Sequence, residues 1–186
     1  MLIVFGGLPG TGKTTLAKAL AAQCSAVYLR VDTIETAIRS SDVLRDGIGP
    51  AGYITAYRVA EENLRLGQSV VADSVNSLQT TRESWAQVAQ NADVTLVNVE
   101  VICSDLAEHR RRVESRRTDL DGLPPLNWTE VIERRYEAWS LPHIVLDTAH
   151  KSIGEAEAEL IHHFAPAGLL AKESTCRSDG VRTSQH

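Results

Sequence analysis

The sequence predicts an α/β fold in which a five-stranded parallel sheet lies between two layers of helices. Short apolar runs alternate along the chain with longer segments whose apolar residues recur every three or four positions. A glycine-rich turn joins the first apolar run to the first of these helical segments. The length of 186 residues is enough for one domain with a full hydrophobic core.

The predicted strands are the short apolar runs. The first, residues 2–5, is apolar throughout, which is typical of a strand covered on both faces. The other strands are predicted over residues 26–31, 69–73, 94–102 and 143–146.

Helical spacing of apolar residues predicts seven helices, with Gly67 as a C-terminal cap and Ser104 as an N-terminal cap. They cover residues 13–23, 33–39, 53–66, 80–91, 104–117, 128–139 and 153–164. Loops rich in glycine and proline are expected over residues 42–50 and 119–127. Residues 1–165 form the predicted domain, and residues 166–186 form a tail that we expect to be flexible.

Composition narrows the class of protein. The 19 Lys and Arg against 24 Asp and Glu give a formal net charge of −5, which disfavours general nucleic-acid binding. Three widely spaced cysteines, Cys24, Cys103 and Cys176, suit a reducing compartment rather than a disulfide framework. No apolar run is long enough for a membrane span, and the start of the chain does not resemble a signal peptide. We therefore expect a cytoplasmic protein.

The glycine-rich turn matches the phosphate-binding pattern GxxxxGK(S/T) at every required position. Its residues are Gly7, Leu8, Pro9, Gly10, Thr11, Gly12, Lys13 and Thr14. Glycines let successive backbone N–H groups curl around a phosphate at a helix N-terminus. Lys13 is expected to bridge the β- and γ-phosphates, Thr14 to ligate Mg²⁺, and Thr15 to reach the α-phosphate. The motif predicts ATP and Mg²⁺ as ligands.

Acidic residues stand at the ends of three predicted strands, where ligands bind in open parallel sheets. Asp73 ends a Walker B-like run, and we expect it to hold Mg²⁺. Asp32 is a candidate general base for an attacking hydroxyl, with a helix N-cap as the alternative. Asp147 is interpreted as a turn or cap residue, in a loop expected to touch the adenine through its backbone.

Five arginines fall within residues 109–117 of this acidic chain. Arg112 and Arg116 share a helical face, so a bound anion would relieve their repulsion. The segment leads into a glycine- and proline-containing loop, which is the pattern of a closing lid over about residues 108–128. We expect Arg112 or Arg116 to contact phosphate. The alternative is a solvated face in which Glu108 pairs with Arg112.

Together these residues resemble the small AAA_33-type P-loop kinases of the nucleoside-monophosphate-kinase-like superfamily, which are similar to chloramphenicol phosphotransferase, zeta toxins, adenylylsulfate kinase and the polynucleotide kinase domain. The resemblance covers about residues 1–164 and rests on GGLPGTGKTT, VDTIE, VVADSVN, HRRRVESRR and ERRYEAW. It implies a three-layer P-loop NTPase fold, ATP as the phosphoryl donor, an arginine-bearing helical lid and Asp32 as the base.

The acceptor is expected to lie between Asp32, the loop that follows the second helix, and residues 73–76. Candidate contacts, each with a packing or solvated alternative, are Arg30, Arg39, Tyr53, Tyr57 and Asn76. This mixture of side chains suits a polar, hydroxylated small molecule such as an antibiotic, sugar or nucleoside. The stretch after Asp73 lacks the DGxPR-like signature of adenylate kinases.

The sequence thus predicts a phosphotransferase with an alcohol group as acceptor. Two alternatives stay open: a polynucleotide 5′-hydroxyl kinase, and a non-catalytic ATP-binding regulator. A GTPase is disfavoured because NKxD and DxxG motifs are missing from the sequence. An AAA+ motor is disfavoured because the chain is too short for a lid domain with sensor residues.

Overall fold

Five parallel strands form a single sheet in the computed structural model, which describes residues 1–41, 47–117, 119–120 and 126–164. The strands are β1 (Leu2–Gly6), β2 (Val27–Arg30), β3 (Val70–Asp73), β4 (Leu96–Ile102) and β5 (Ile144–Asp147). Their order across the sheet is β2-β3-β1-β4-β5, and every neighbouring pair is parallel. The predicted fold class is therefore confirmed.

Seven helices are present in the described part of the chain. They are α1 (Lys13–Gln23), α2 (Val31–Ser40), α3 (Ala51–Arg65), α4 (Gln79–Asn91), α5 (Leu106–Glu114), α6 (Trp128–Ile132) and α7 (Ile153–Phe164). Within the described residues no helix combines the length and the apolar character that a membrane crossing needs.

The sheet separates two hydrophobic cores, and β1 contributes to both. Ile3 and Phe5 pack against α1 and α7, whereas Leu2 and Val4 pack against α3 and α4. Successive residues of a strand point to opposite faces, so a strand buried on both sides must be apolar at every position. The unbroken apolar run at the start of the chain therefore corresponds to the central strand.

The helix predicted over residues 128–139 is wrong beyond Ile132, where α6 ends. The following segment packs on Arg82 of α4, whose fully buried guanidinium donates to the carbonyl oxygens of Glu137 (2.7 Å) and Ala138 (2.9 Å). The same guanidinium carbon lies 4.3 Å from the centre of the Trp139 ring. These contacts with Arg82 hold the segment after Ile132 in a non-helical path on α4, so tertiary contacts override the local spacing.

Two helix starts also differ from the predictions. The N-cap of α5 is Asp105 rather than Ser104, and its carboxylate accepts hydrogen bonds from the backbone N–H groups of Ala107 and Glu108. Helix α2 begins directly after β2, which places Asp32 in the first turn rather than at the N-cap. Gly67 does follow α3 with a φ of 83°, as predicted for a C-terminal cap.

Several sequence predictions fall outside the described residues. They concern the core of the loop at 42–46, the lid residues 118 and 121–125, and the tail from 166 with Cys176.

Candidate functional site

The strand register brings the candidate residues together at one edge of the sheet. Phe5 of β1 pairs with Asp73 of β3, and Asp73 pairs in turn with Arg30 of β2. The phosphate-binding turn leaves β1 at this level, and Asp32 follows β2 immediately. The predicted phosphate loop, metal ligand and base therefore lie at adjacent carboxyl ends of parallel strands, where such sheets bind ligands.

Three glycines of the loop adopt backbone conformations that suit no other residue. Gly7, Gly10 and Gly12 have φ angles of 139°, 86° and 92°. A Cβ at Gly7 would lie 2.2 Å from the carbonyl oxygen of Val101, and one at Gly10 would lie 2.6 Å from Cγ2 of Val113. Both positions therefore require glycine, because β4 and α5 lie too close to the loop backbone for a side chain to fit.

Neighbouring elements hold the loop through its carbonyl oxygens. His109 Nε2 of α5 lies 2.8 Å from the Pro9 oxygen, so this nitrogen carries the proton. The Thr148 hydroxyl donates to the Thr11 oxygen at 2.9 Å, and the Thr11 hydroxyl donates to the Leu8 oxygen at 2.9 Å. Two loop N–H groups are also used inside the protein, since Gly7 donates to the Val75 carbonyl and Thr11 to the Leu8 carbonyl. Fixing the carbonyls orients the remaining N–H groups of the loop for a ligand.

Lys13 and Asp73 face each other at the centre of the site. Lys13 Nζ lies 3.9 Å from Asp73 Oδ1, and the two side chains are only 6% and 2% exposed. The Tyr28 hydroxyl donates to Asp73 Oδ2 at 2.8 Å, and burial, reinforced by the Asp73 charge, raises the Tyr28 pKa so that the phenol stays a donor. Within the described residues, Oδ1 of Asp73 has no hydrogen-bond donor.

That oxygen makes the site suitable for a divalent cation. A buried carboxylate oxygen without a donor is costly unless a cation or water satisfies it. Mg²⁺ prefers oxygen ligands and uses one or two protein groups together with phosphate oxygens. Asp73 and the hydroxyl of Thr14, the residue after Lys13, offer oxygen ligands of that kind.

Arg30 links the carboxylates of the site. Its Nη1 lies 2.9 Å from both Asp119 oxygens, its Nη2 lies 3.7 Å from Asp32, and its Nε lies 4.0 Å from Asp73. Asp119 also accepts from Lys18 Nζ at 2.7 Å. Sequence reasoning gave Lys18 and Asp119 no role. Lys18 lies one helical turn after Thr14, a spacing that would have placed it beside the phosphate loop.

A cavity of about 390 Å³ opens beside the loop, and cationic side chains dominate its lining. These are Lys13, Lys18, Arg112, Arg116 and Arg117, together with the carboxylate of Asp119. Arg112 donates to Glu108 at 2.6 Å and to the Thr148 hydroxyl at 2.8 Å. The alternative ion pair of the sequence analysis thus exists, and Arg112 nevertheless faces the cavity. Helix α5 ends at Glu114, so Arg116 reaches the cavity from the following turn.

A second cavity of about 250 Å³ adjoins the first and includes more apolar side chains. It lies between α1 and the segment after β5, with Leu16, Ile153 and Ala156 in its lining. Asp147 accepts from the backbone N–H groups of Ser104 and Ala149 at 3.0 Å, which is the turn function predicted for it. The loop expected to touch the adenine therefore does line a cavity next to the phosphate loop.

Three of the candidate acceptor residues, Tyr53, Tyr57 and Asn76, contact one another directly or through Thr81, whereas Arg30 and Arg39 pair with carboxylates. The Tyr53 hydroxyl accepts from the Asn76 N–H at 3.1 Å, and the Asn76 side chain accepts from Thr81 at 2.8 Å. Tyr57 donates to the Thr81 carbonyl and its ring packs edge-on against Trp85, in keeping with the packing alternative.

Sequence reasoning assigned Glu35, between Asp32 and Arg39, no role beyond the helix-cap alternative for Asp32. The Glu35 carboxylate accepts a hydrogen bond from Arg39 at 3.1 Å, so the Arg39 side chain is held in an ion pair. Burial raises the pKa of the Glu35 carboxyl. A raised pKa next to a candidate base is a recurrent property of functional sites.

Solved structures share this arrangement of strands and helices. A gluconokinase of Sinorhizobium meliloti is 17% identical, with a TM-score of 0.61 over 89% of this chain and 91% of the other. An APS kinase, CysC of Mycobacterium tuberculosis, in complex with AMPPNP and APS, is 19% identical, with a TM-score of 0.64 over 87% and 95%. Kti12 of Chaetomium thermophilum, in complex with ADP-AlF3, is 22% identical, with a TM-score of 0.67 over 90% and 98%. At these identities the likeness concerns the fold.

Sequence comparison gives two further matches. The chain is 39% identical over 82 residues to the 26S proteasome regulatory subunit 4 of Caenorhabditis elegans, a match that covers 43% of this chain but only 16% of the subunit. The model of AAA_33, an AAA domain family, matches residues 2–137, from the first strand of the sheet to the segment that packs on Arg82. With the phosphate loop, Asp73 and four of the five parallel strands inside that match, the chain belongs to the AAA_33 family of AAA domains.

Proposed function

We propose that this protein is an ATP-dependent kinase that transfers the γ-phosphoryl group to a hydroxyl of a small polar molecule. One observation carries the proposal. A buried Lys13 and Asp73 meet beneath a complete phosphate loop, and the solvent-accessible carboxylate Asp32 lies at the adjacent strand end. A phosphotransferase needs such a second carboxylate as a base, whereas binding of the nucleotide alone does not require it.

The two adjoining cavities suit the two halves of ATP. The larger, cationic cavity matches the triphosphate, with Lys13, Arg112 and Arg116 as its positive groups. The smaller cavity after β5 matches the adenine in size and apolar character. Thr15 lines both cavities, which suits its proposed contact with the α-phosphate.

Thr14 and Asp73 would hold Mg²⁺, which when bound offsets charge on the β- and γ-phosphates. Asp32 is 30% exposed and lies 3.7 Å from Nη2 of Arg30, so its carboxylate is oriented yet open to an acceptor. It would accept the hydroxyl proton as the acceptor oxygen bonds to the γ-phosphorus. The bond between that phosphorus and the β–γ bridging oxygen breaks, and ADP leaves with the electron pair.

The similarity to the proteasome subunit adds little to this choice. It covers under half of this chain and a small part of the subunit. The gluconokinase and the APS kinase, by contrast, align along nearly their whole length. The formal charge of −5 also favours a small acceptor over a polynucleotide.

An ATP-consumption screen tests the proposal. The purified chain with Mg·ATP is offered aminoglycosides, other hydroxylated antibiotics, sugars, nucleosides and 5′-hydroxyl oligonucleotides, and mass spectrometry locates the new phosphate. We expect turnover with a small hydroxylated compound, and none with Lys13→Ala. Turnover with oligonucleotides alone would favour the polynucleotide kinase. ATP binding without any acceptor-dependent turnover would favour a regulator.

A further inference from the structure

Arg30 is a buried cation whose hydrogen bonds end on an exposed carboxylate. Its side chain is 2% exposed, whereas that of Asp119 is 49% exposed. Both Asp119 oxygens lie 2.9 Å from the single nitrogen Nη1. The contact spans 89 residues of sequence, from the end of β2 to the segment after the arginine helix. A desolvated guanidinium thus depends on a partner that lies at the protein surface.

Two of the three side-chain nitrogens of Arg30 take no part in the hydrogen bonds to Asp119. Among the described residues, Nε and Nη2 have no hydrogen-bond acceptor, although both are buried. The nearest carboxylates, Asp32 at 3.7 Å and Asp73 at 4.0 Å, are too distant for hydrogen bonds. Two buried guanidinium nitrogens without acceptors destabilise the folded protein when no ligand is bound. An anionic ligand can accept hydrogen bonds from these free nitrogens, because the planar guanidinium group binds carboxylates and phosphates through paired hydrogen bonds.

Lys18 converges on the same point. Its Nζ lies 2.7 Å from Asp119 Oδ2, and it lines the larger cavity together with Asp119. Hydrogen bonds from Lys18 and Arg30 hold the pKa of the Asp119 carboxyl well below its usual range, so Asp119 is an anion at any working pH. Two cations from different elements therefore enclose one negatively charged group.

Removing Asp119 would leave Arg30 without its only close partner among the described residues. The cost of an uncompensated buried charge is large. A second anion in the same place would restore the charge balance without moving α1 or β2. The Asp119 side chain is half exposed, so it can rotate into solvent while such an anion takes its place.

We propose that Lys18 and Arg30 form a subsite for an anionic group of the acceptor, and that Asp119 occupies it as an intramolecular substitute. The acceptor then carries a carboxylate, phosphate or sulfate near the hydroxyl that is phosphorylated. Because Asp32 lies 3.7 Å from Arg30, a group bound to Arg30 places the neighbouring part of the acceptor beside the candidate base. This inference rests on the kinase proposal and names its substrate class.

The test uses calorimetry with inorganic sulfate as the probe, on protein first saturated with Mg·ADP. The preceding ADP titration reports on the kinase proposal by itself. We expect sulfate to bind weakly to the native chain and about fivefold or more tightly to Asp119→Asn, which loses the competing charge. Lys18→Gln, a substitution at a half-exposed site, should weaken sulfate binding by a similar factor, and the preceding ADP titration measures any separate effect on the nucleotide.

Glu114→Gln is the matched control, because Glu114 is about as exposed as Asp119 and, among the described residues, pairs with one arginine, Arg110, at 2.8 Å. It should leave sulfate affinity unchanged. Sulfate binding that is absent, or that is the same in native, Asp119→Asn and Lys18→Gln proteins, would overturn the subsite.

A second measurement needs no variant. ATP consumption is compared for matched acceptors that differ by one charge, such as glycerol against glycerate and ribose against ribose 5-phosphate. We expect the anionic member of a pair to be preferred. An uncharged acceptor that outperforms its anionic counterpart would overturn the inference while leaving the kinase proposal intact.

Discussion

Two aspartates at neighbouring strand ends occupy opposite environments. Asp73 is 2% exposed, lies near Lys13 and Arg30, and accepts a hydrogen bond from Tyr28. Asp32 is 30% exposed and has a single cation within 4 Å among the described residues. A buried carboxylate with an oxygen that lacks a donor suits a metal. A carboxylate open to solvent can exchange protons with a substrate.

This contrast predicts the behaviour of Asp32→Asn. The amide cannot accept the hydroxyl proton, so turnover should fall by about 10²- to 10⁴-fold. The affinity for Mg·ATP should stay within about threefold, because Asp32 lines neither cavity beside the phosphate loop. Steady-state kinetics combined with calorimetry checks both values. An equal loss of turnover and nucleotide affinity would instead assign Asp32 to the metal or to the scaffold.

The partly buried position of Glu35 predicts that the melting temperature of the protein depends on pH. Burial raises its pKa above the ordinary value of 4.5, so the folded state favours the protonated form. Its stabilising contribution is therefore complete below pH 4.5 and is lost as the pH rises through the folded pKa. Glu35→Gln cannot ionise, so it should gain melting temperature relative to the native chain as the pH increases. Thermal unfolding between pH 4 and pH 8 measures the difference.

Glu155→Gln provides a control of opposite sign. Hydrogen bonds from the backbone N–H and hydroxyl of Ser152 hold the Glu155 pKa below its ordinary value. Its contribution is present above that value and disappears as the pH falls. This variant should be less stable than the native chain at pH 7 and equal to it at low pH. If the melting temperatures of Glu35→Gln and Glu155→Gln changed with pH in the same direction relative to the native chain, the opposite pKa shifts of Glu35 and Glu155 would be refuted.

At the level of elements, α5 and the phosphate loop behave as one unit. His109 binds the Pro9 carbonyl, Val113 packs on Gly10, and Arg112 reaches Thr148, which in turn binds the Thr11 carbonyl. The helix that carries the arginines is therefore attached to the loop it serves. A displacement of α5 would alter the loop carbonyls as well as the cationic cavity.

Gly10→Ala tests this coupling. The new methyl group would lie 2.6 Å from Val113 Cγ2, so α5 must shift in addition to the strain at a φ of 86°. We expect a loss of about 2–4 kcal/mol in unfolding free energy and a weaker affinity for ADP. Gly67→Ala is the control, because Gly67 has a φ of 83° and nothing within 4 Å of the added Cβ.

The control should lose only about 1 kcal/mol and keep its ADP affinity. Urea unfolding and ADP titration distinguish the two variants. Equal destabilisation by both would show that α5 does not restrain the loop.

At the level of the whole molecule, the nucleotide should stabilise the fold. The proposed ligand contacts come from α1, α5 and the segment after β5, which join separate parts of the chain. Mg·ADP at one hundred times its dissociation constant should add about 2.7 kcal/mol, which raises the melting temperature by roughly 5–10 °C in a chain of this size.

Differential scanning fluorimetry measures this shift. It should shrink when EDTA removes the magnesium, and it should vanish in Lys13→Ala. An unchanged shift in Lys13→Ala would mean that the nucleotide binds away from the phosphate loop. A shift that does not respond to EDTA would contradict the metal site at Asp73.

The sequence by itself determined the sheet, the phosphate loop and the strand-end acids. These follow from local rules: strands buried on two faces must be apolar, a phosphate cradle needs glycines and a lysine at set offsets, and parallel strands align their carboxyl ends. Every predicted strand has its counterpart in the structure, displaced by no more than a few residues.

Only the tertiary structure decided the surroundings of those acids. Nothing local to Arg30 indicates that Asp119 will accept hydrogen bonds from it and from Lys18, because that contact joins residues 89 positions apart in the sequence. The segment after Ile132 likewise leaves its helical pattern, where buried Arg82 donates to the carbonyls of Glu137 and Ala138. Local patterns fix the backbone of each element, whereas charges and hydrogen bonds find their partners only after distant elements have packed.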